Sequence, residues 1–138
     1  MDQMKDSDMS NNILIVDDSV LMRAALKRTI DMVDLEIGSV FEAGDGEEAL
    51  AVIEKERVDL ILSDLNMPNI GGVELVEKLK HDERYAQIPI VVISTESSEV
   101  RVEDLMEQGV SDFLHKPFRP NEFRDVLIKN LGVCHGNS

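Results

Sequence analysis

The chain has a single cysteine, Cys134, placed in the polar stretch Gly132 to Ser138. One thiol can build neither a disulfide framework nor a thiolate metal site within a monomer. Basic residues are also scarce: 14 Lys and Arg stand against 28 Asp and Glu, a formal net charge of -14. Such a chain repels nucleic-acid phosphates, and no basic patch is present to offset the repulsion, so protein partners and small cations are expected instead of direct nucleic-acid binding. No apolar run approaches the roughly 20 residues that a membrane helix needs. The start, Met1 to Asn12, is polar and acidic and does not resemble a signal peptide. Absence of membrane insertion and a cytoplasmic location follow as expectations. Internal repeats, linkers and low-complexity segments are missing too, apart from two short tails.

What is present suits one globular domain: 138 residues, 43% of them hydrophobic and 30% charged. Residues 1–12 are expected to be a disordered leader, 13–131 the folded domain and 132–138 a flexible tail. Within the domain, apolar runs alternate with amphipathic ones. Strands are predicted at Ile13 to Val16, Ser39 to Glu42, Asp59 to Ser63, Ile88 to Ser94 and Asp112 to Leu114. Helices are predicted at Val20 to Asp31, Glu47 to Lys55, Gly72 to His81, Glu99 to Gln108 and Pro120 to Asn130. In the first helix Leu21, Ala25, Leu26 and Ile30 fall at helical spacing, with Ser19 placed to cap it. Pro120 suits the first position of the last helix. Five alternations in one domain's length predict an α/β fold, a doubly wound parallel sheet covered on both faces by right-handed crossovers.

The most telling run is Ile13-Leu14-Ile15-Val16-Asp17-Asp18, a strand apolar enough to be buried on both faces that stops at two adjacent carboxylates. The run from Leu60 through Ser63 likewise climbs to Asp64 before breaking at Asn66-Met67-Pro68. In open α/β sheets ligands bind beyond the carboxyl ends of the strands, so neighbouring strands would gather Asp17, Asp18 and Asp64 in one crevice. Three close carboxylates repel one another unless a divalent cation neutralises them, and oxygen ligands without paired His or Cys favour Mg²⁺ or Mn²⁺. Two further strands end in Ser94-Thr95 and in His115-Lys116. A hydroxyl and an ammonium at the same edge would complement the oxygens of a phosphoryl group. Taken singly, each residue has a plainer reading: Asp17 and Asp18 as helix caps, Asp64 as a turn residue, Ser94 as a cap, Lys116 as a solvated charge.

Together, Asp17-Asp18, the segment Glu42 to Leu50, Asp64-Leu65-Asn66-Met67-Pro68, Ser94-Thr95 and Lys116-Pro117-Phe118 resemble the receiver domain of two-component response regulators, in order and on the expected elements. The resemblance spans Ile13 to Leu131. It implies a flavodoxin-like (βα)5 fold with five parallel strands in the order 2-1-3-4-5. It also implies that Asp64 is the phosphoacceptor, that Asp18, Asp64 and the Asn66 carbonyl ligate Mg²⁺ (Mn²⁺ being possible) with Asp17 acting through water, and that Lys116 pairs with the phosphoryl group. Ser94, Thr95 and Phe113 would form the switch, and the Lys116-Pro117 bond would be cis. Phe113 as a static core residue is the plainer alternative.

The implied function is that of a signalling protein that catalyses its own phosphorylation and dephosphorylation. A histidine kinase or phosphotransfer protein would supply the phosphoryl group. A downstream protein would read the face of the fourth helix, fifth strand and fifth helix, with the domain itself monomeric. Chemotaxis-type effector and phosphorelay shuttle both remain open. Glu96, Glu99, Glu103, Asp104 and Glu107 make the fourth helix acidic, either as a solvated face or as a dock for a basic segment. Arg23 and Lys27, with Arg28, form the densest basic cluster, and the resemblance places phosphoryl donors beside that helix, so steering of an acidic partner is expected there. Two other classes fit less well. An aspartyl phosphatase needs two carboxylates one residue apart, and Asn66 holds that position after Asp64. A flavin carrier needs a phosphate-cradling first loop, which Asp17 and Asp18 would repel.

Overall fold

Strands covered by helices on both faces must bury both sets of side chains, and here they do. The computed structural model describes residues 11–67, 69–96 and 98–131. The order of elements is β1 (Asn11–Val16), α1 (Val20–Met32), β2 (Ile37–Ala43), α2 (Gly46–Lys55), β3 (Leu60–Ser63), α3 (Gly72–Lys80), β4 (Ile90–Ser94), α4 (Glu99–Glu107), β5 (Asp112–His115) and α5 (Pro120–Leu131). All strand pairs are parallel and the sheet runs β2-β1-β3-β4-β5. Leu14 and Val16 of β1 join one apolar layer with Ile61, Leu75, Val76, Leu79 and Val92. Ile13 and Ile15 point the other way, into a layer with Leu26, Ile30, Leu62, Phe123 and Leu127. Each such fully buried side chain contributes about 1.5–3 kcal/mol of transfer free energy, so the central strands anchor the fold.

Most boundaries fall within about two residues of the sequence prediction, and the differences have local causes. β1 begins at Asn11, two residues before the predicted start and inside the segment expected to be a disordered leader. Side-chain bonds explain it: the Asn12 side chain donates to the Arg57 carbonyl at 2.9 Å and accepts from the Ser39 amide at 2.9 Å. Residues 1–10 and the tail 132–138 lie outside the described residues. β4 begins at Ile90 and not at Ile88, because Pro89 offers a carbonyl to the Ile61 amide (3.0 Å) but has no N–H to give back. Leu21 was expected on the buried face of α1, yet it is 82% exposed. It sits in the first turn beyond the sheet's edge, where no core lies beneath it; Leu26 and Ile30, further along, carry the burial.

The sheet order reverses direction between β1 and β3. That switch point opens a crevice at the carboxyl ends of these two strands.

Candidate functional site

Register brings the strand tips level. Val16 pairs with Ser63, and the next residue on each strand is an aspartate; the Asp64 amide donates to the Val16 carbonyl at 2.8 Å, and the Asp17 amide to the Ala43 carbonyl at 3.0 Å. On the other side Ser94 pairs with His115, and the Lys116 amide donates to the Ser94 carbonyl at 2.9 Å. Asp17, Asp18 and Asp64 therefore converge, each offering a carboxylate oxygen within 4.8 Å of the others. Asp17 is buried, Asp64 half-buried and Asp18 exposed, so the cluster opens to solvent on one side. The Lys116 ammonium lies 3.7 Å from Asp17 Oδ2 and 3.8 Å from Asp64 Oδ1, a shared ion contact longer than a hydrogen bond. The Lys116-Pro117 peptide is cis.

Asp17 Oδ1 accepts from the Ser19 amide at 2.8 Å, and Ser19 Oγ in turn caps α1 by accepting from the Met22 amide at 3.1 Å. The cap is thus Ser19, which leaves Asp18 without that duty. Asp64 Oδ1 accepts from the Leu65 amide at 2.8 Å; among the described residues no donor reaches Oδ2. Burial pushes the Asp64 carboxyl above its ordinary range. The Leu65 amide and the Lys116 ammonium pull against that, while Asp17 and Asp18 add to it. A carboxyl raised by burial and by two like charges is a group that gains from a cation beside it.

Ser94 is buried, and its Oγ accepts from the Glu96 amide at 3.1 Å. The cap of α4 is a different residue, Ser98, whose hydroxyl accepts from the Arg101 amide at 3.3 Å. Thr95 is exposed, as is Asn66 in the turn after Asp64. Phe113 is half-buried against one apolar layer, its ring centroid 4.8 Å from that of His115. The acidic side chains of α4 all face solvent.

The basic cluster of α1 divides. Lys27 and Arg28 are exposed, but Arg23 turns inward: its side chain is 17% exposed, with Nη1 2.6 Å from the Asp17 carbonyl and Nε 3.0 Å from Glu42 Oε1. Two of its donors thus serve acceptors within the chain, a role that stands beside the partner steering expected of it. Sequence reasoning missed Glu42 as their acceptor. It also missed a tie between two turns. Asn69 Nδ2 donates to Asp45 Oδ2 at 2.7 Å, and the Gly46 amide to the Ile70 carbonyl at 2.9 Å. Asn69 adopts a left-handed conformation (φ 61°) to do so, and a Cβ on Gly46 would run into the Ile70 side chain.

Comparison with known proteins gives one consistent result. Residues 13–128 match the response regulator receiver domain family. The chemotaxis protein CheY homolog of Campylobacter jejuni is 34% identical over 125 residues, covering 90% of this chain and 95% of that protein. The chemotaxis protein CheY1 of Helicobacter pylori is 35% identical over 122 residues, covering 88% and 97% respectively. The solved structure of the chemotaxis response regulator CheY4 of Vibrio cholerae superposes with a TM-score of 0.79 at 34% identity, covering 89% of this chain and all of that one.

Proposed function

This chain belongs to the response regulator receiver domain family, and on that premise we propose that Asp64 is its phosphoacceptor. Receiver domains are signalling proteins that bind Mg²⁺ through an acidic pocket. The donor set here fits that ion: three converging carboxylates, one of them raised by burial, with no His or Cys in the cluster. Asp18 and Asp64 would hold it, with the Asn66 carbonyl, and Asp17 would act through water; Mn²⁺ suits the same ligands. When bound, the ion neutralises the carboxylates and the phosphoryl oxygens.

The single observation that carries the assignment is Asp64 Oδ2, a carboxylate oxygen with no donor from the described residues at an open rim, on a carboxylate whose other oxygen lies 3.8 Å from the Lys116 ammonium. In the proposed step Oδ2 attacks phosphorus in line. The bond from phosphorus to the donor's imidazole nitrogen breaks, its electron pair stays on that nitrogen, and an acyl phosphate forms on Asp64. Lys116 turns from the carboxylates to a phosphoryl oxygen. The Ser94 hydroxyl already accepts from the Glu96 amide, and among the described residues nothing takes its proton, so it is available to donate to a second phosphoryl oxygen. That added bond favours an arrangement in which the segment from Ser94 to α4 moves inward, Thr95 and Phe113 moving with it. The face of α4, β5 and α5 is the surface that changes for a downstream protein.

Among the described residues no helix is long and apolar enough to cross a membrane, and we place the activity in the cytoplasm as part of the same reading. The chemotaxis relatives favour a chemotaxis-type effector over a phosphorelay shuttle. Steering of a phosphoryl donor would fall to Lys27 and Arg23, Lys27 being the more exposed of the two.

The test is NMR of the protein with Mg²⁺ and either acetyl phosphate or beryllofluoride. Amides around Ser94 and Phe113 should shift, and Asp64→Asn should abolish the acetyl phosphate response. An undiminished response in that variant sinks the assignment.

A further inference from the structure

The inward turn of Arg23 carries consequences beyond the proposed phosphoacceptor. The carbonyl that it grips belongs to the peptide unit joining Asp17 to Asp18, so the bond fixes the plane from which both carboxylates depart. One of them is buried and the other exposed, yet both must aim at the point that Asp64 also faces. A single hydrogen bond to a flexible side chain would define that plane poorly. Here the guanidinium is held at its far side as well: Nε donates to Glu42 Oε1 at 3.0 Å, and Glu42 Oε2 takes a second contact from Lys27 at 3.4 Å. Glu42 lies on β2 directly opposite Ile15 of β1, so its position is fixed by the strand ladder and not by a loop.

Two more observations show that the arrangement is built in. The turn after β2 closes against the guanidinium: a Cβ on Gly44 would stand 3.6 Å from Nη1, and the Gly44 amide is tied to Glu48 Oε1 at 2.7 Å. The Glu42 carboxyl is also held below its ordinary range, with the Arg23 hydrogen bond as the largest cause, so the anchor stays ionised. Arg23 is a planar fork that bridges two acceptors in different directions, and a lysine ammonium in its place is not equivalent.

We propose that Arg23, anchored by Glu42, is a positioning residue that orients the Asp17-Asp18 peptide for cation binding. The proposal rests on the reading of Asp17, Asp18 and Asp64 as the Mg²⁺ site. It separates sharply from two other roles. A residue that steers a partner does not affect Mg²⁺ binding. A residue acting only through its charge opposes Mg²⁺, so its neutralisation tightens binding. A positioning residue does the reverse, and its neutralisation weakens binding; supporting hydrogen-bond partners at metal sites are typically worth about 10–100-fold in affinity.

The experiment is calorimetric titration of the full chain with Mg²⁺, comparing wild type, Arg23→Gln, Arg23→Lys, Glu42→Gln and, as an exposed control of matched charge change, Arg28→Gln. Thermal melts confirm that each is folded at the titration temperature, and the Asp18 amide shift gives a second readout. Expected is a roughly tenfold weaker Mg²⁺ affinity for Arg23→Gln. Partial recovery is expected in Arg23→Lys, a smaller loss in Glu42→Gln and none in Arg28→Gln. Unchanged or tighter binding in Arg23→Gln overturns the proposal while leaving the Mg²⁺ site intact. Should Arg23→Gln not fold, wild-type affinity in both Arg23→Lys and Glu42→Gln overturns it. No Mg²⁺ binding by wild type overturns the site reading and this inference with it.

Discussion

The two edges of the sheet treat charge in opposite ways. At the amino edge the charges of Asp59, Asp112 and Lys80 have answers within the chain. Asp59 accepts from the Asn12 amide at 2.8 Å and pairs with Arg57 at 3.1 Å, Asp112 pairs with Lys129 at 3.3 Å, and Lys80 donates to the carbonyls of Ala86 and Ile88 at 3.0 and 3.3 Å. At the carboxyl edge three carboxylates converge, two of them share one ammonium at 3.7–3.8 Å, and burial raises one of those two. The same strands run through both edges, so the difference does not come from the core. One end pairs these charges within the chain, and the other gathers like charges about a single ammonium.

The strongest way to erase the contrast is to supply the cation proposed for that cluster. At a hundredfold excess over its Kd, Mg²⁺ should stabilise the folded state by about 2.7 kcal/mol, read as a rise in Tm, and Asp18→Asn should lose most of that rise. Next in size is Gly72→Ala. A Cβ there would lie 2.5 Å from the Asp64 carbonyl oxygen and 2.8 Å from the Leu65 Cα, backbone atoms that must move. Overpacking of this kind costs about 1–3 kcal/mol, and uptake of phosphoryl from acetyl phosphate should slow as well, because the atoms displaced belong to Asp64 and its neighbour.

Removing one carboxylate from each edge should give effects of opposite sign. Asp59→Ala should lose about 1 kcal/mol by denaturant unfolding, with phosphorylation unchanged, since it strands the Asn12 amide. Asp64→Asn should raise Tm in Mg²⁺-free buffer. Loss of stability in both would show that the carboxyl edge is as satisfied as the other.

The smallest effect is in pH. Asp64 has a folded-state pKa above its ordinary 3.8, so the native state takes up its proton first and repulsion is relieved as pH falls through the raised value. The Tm advantage of Asp64→Asn should therefore shrink on acidification. Glu42 runs the other way. Its folded-state pKa is below 4.5, so its contribution is present above that value and is lost as pH falls through the lower one. Glu42→Gln should accordingly converge with wild type in acid.

Much of this was legible from residues alone. Apolar runs buried on both faces ended in Asp17-Asp18, Asp64, Ser94 and Lys116, and strands that end in polar residues place those residues at one rim, so the convergence followed from the alternation of elements. The order 2-1-3-4-5 did not follow from any local pattern; it came with the family resemblance. β2 was read two residues too short at its start because it is an edge strand, only partly buried, and gives a weak alternation signal. The inward contacts of Arg23 carry no sequence signal for a related reason. Its acceptors are a backbone carbonyl and a side chain on β2, and nothing in the helix's own spacing reports that β2 stands beside β1. The tie between Asp45 and Asn69 was hidden in the same way, since it depends on a left-handed backbone at a non-glycine residue.

That tie has a mechanical meaning. By bolting the turn after Asp64 to the first turn of α2, through Asn69 and through the Gly46 amide, it denies slack to one flank of the reactive carboxylate. Among the described residues the opposite flank is held within its own loop, by the Glu96 amide on the Ser94 hydroxyl and the Ser98 amide on Glu96 Oε2. Under the proposed switch, a load applied at Asp64 would meet more ties on the side of α2, and the motion would leave the rim toward α4.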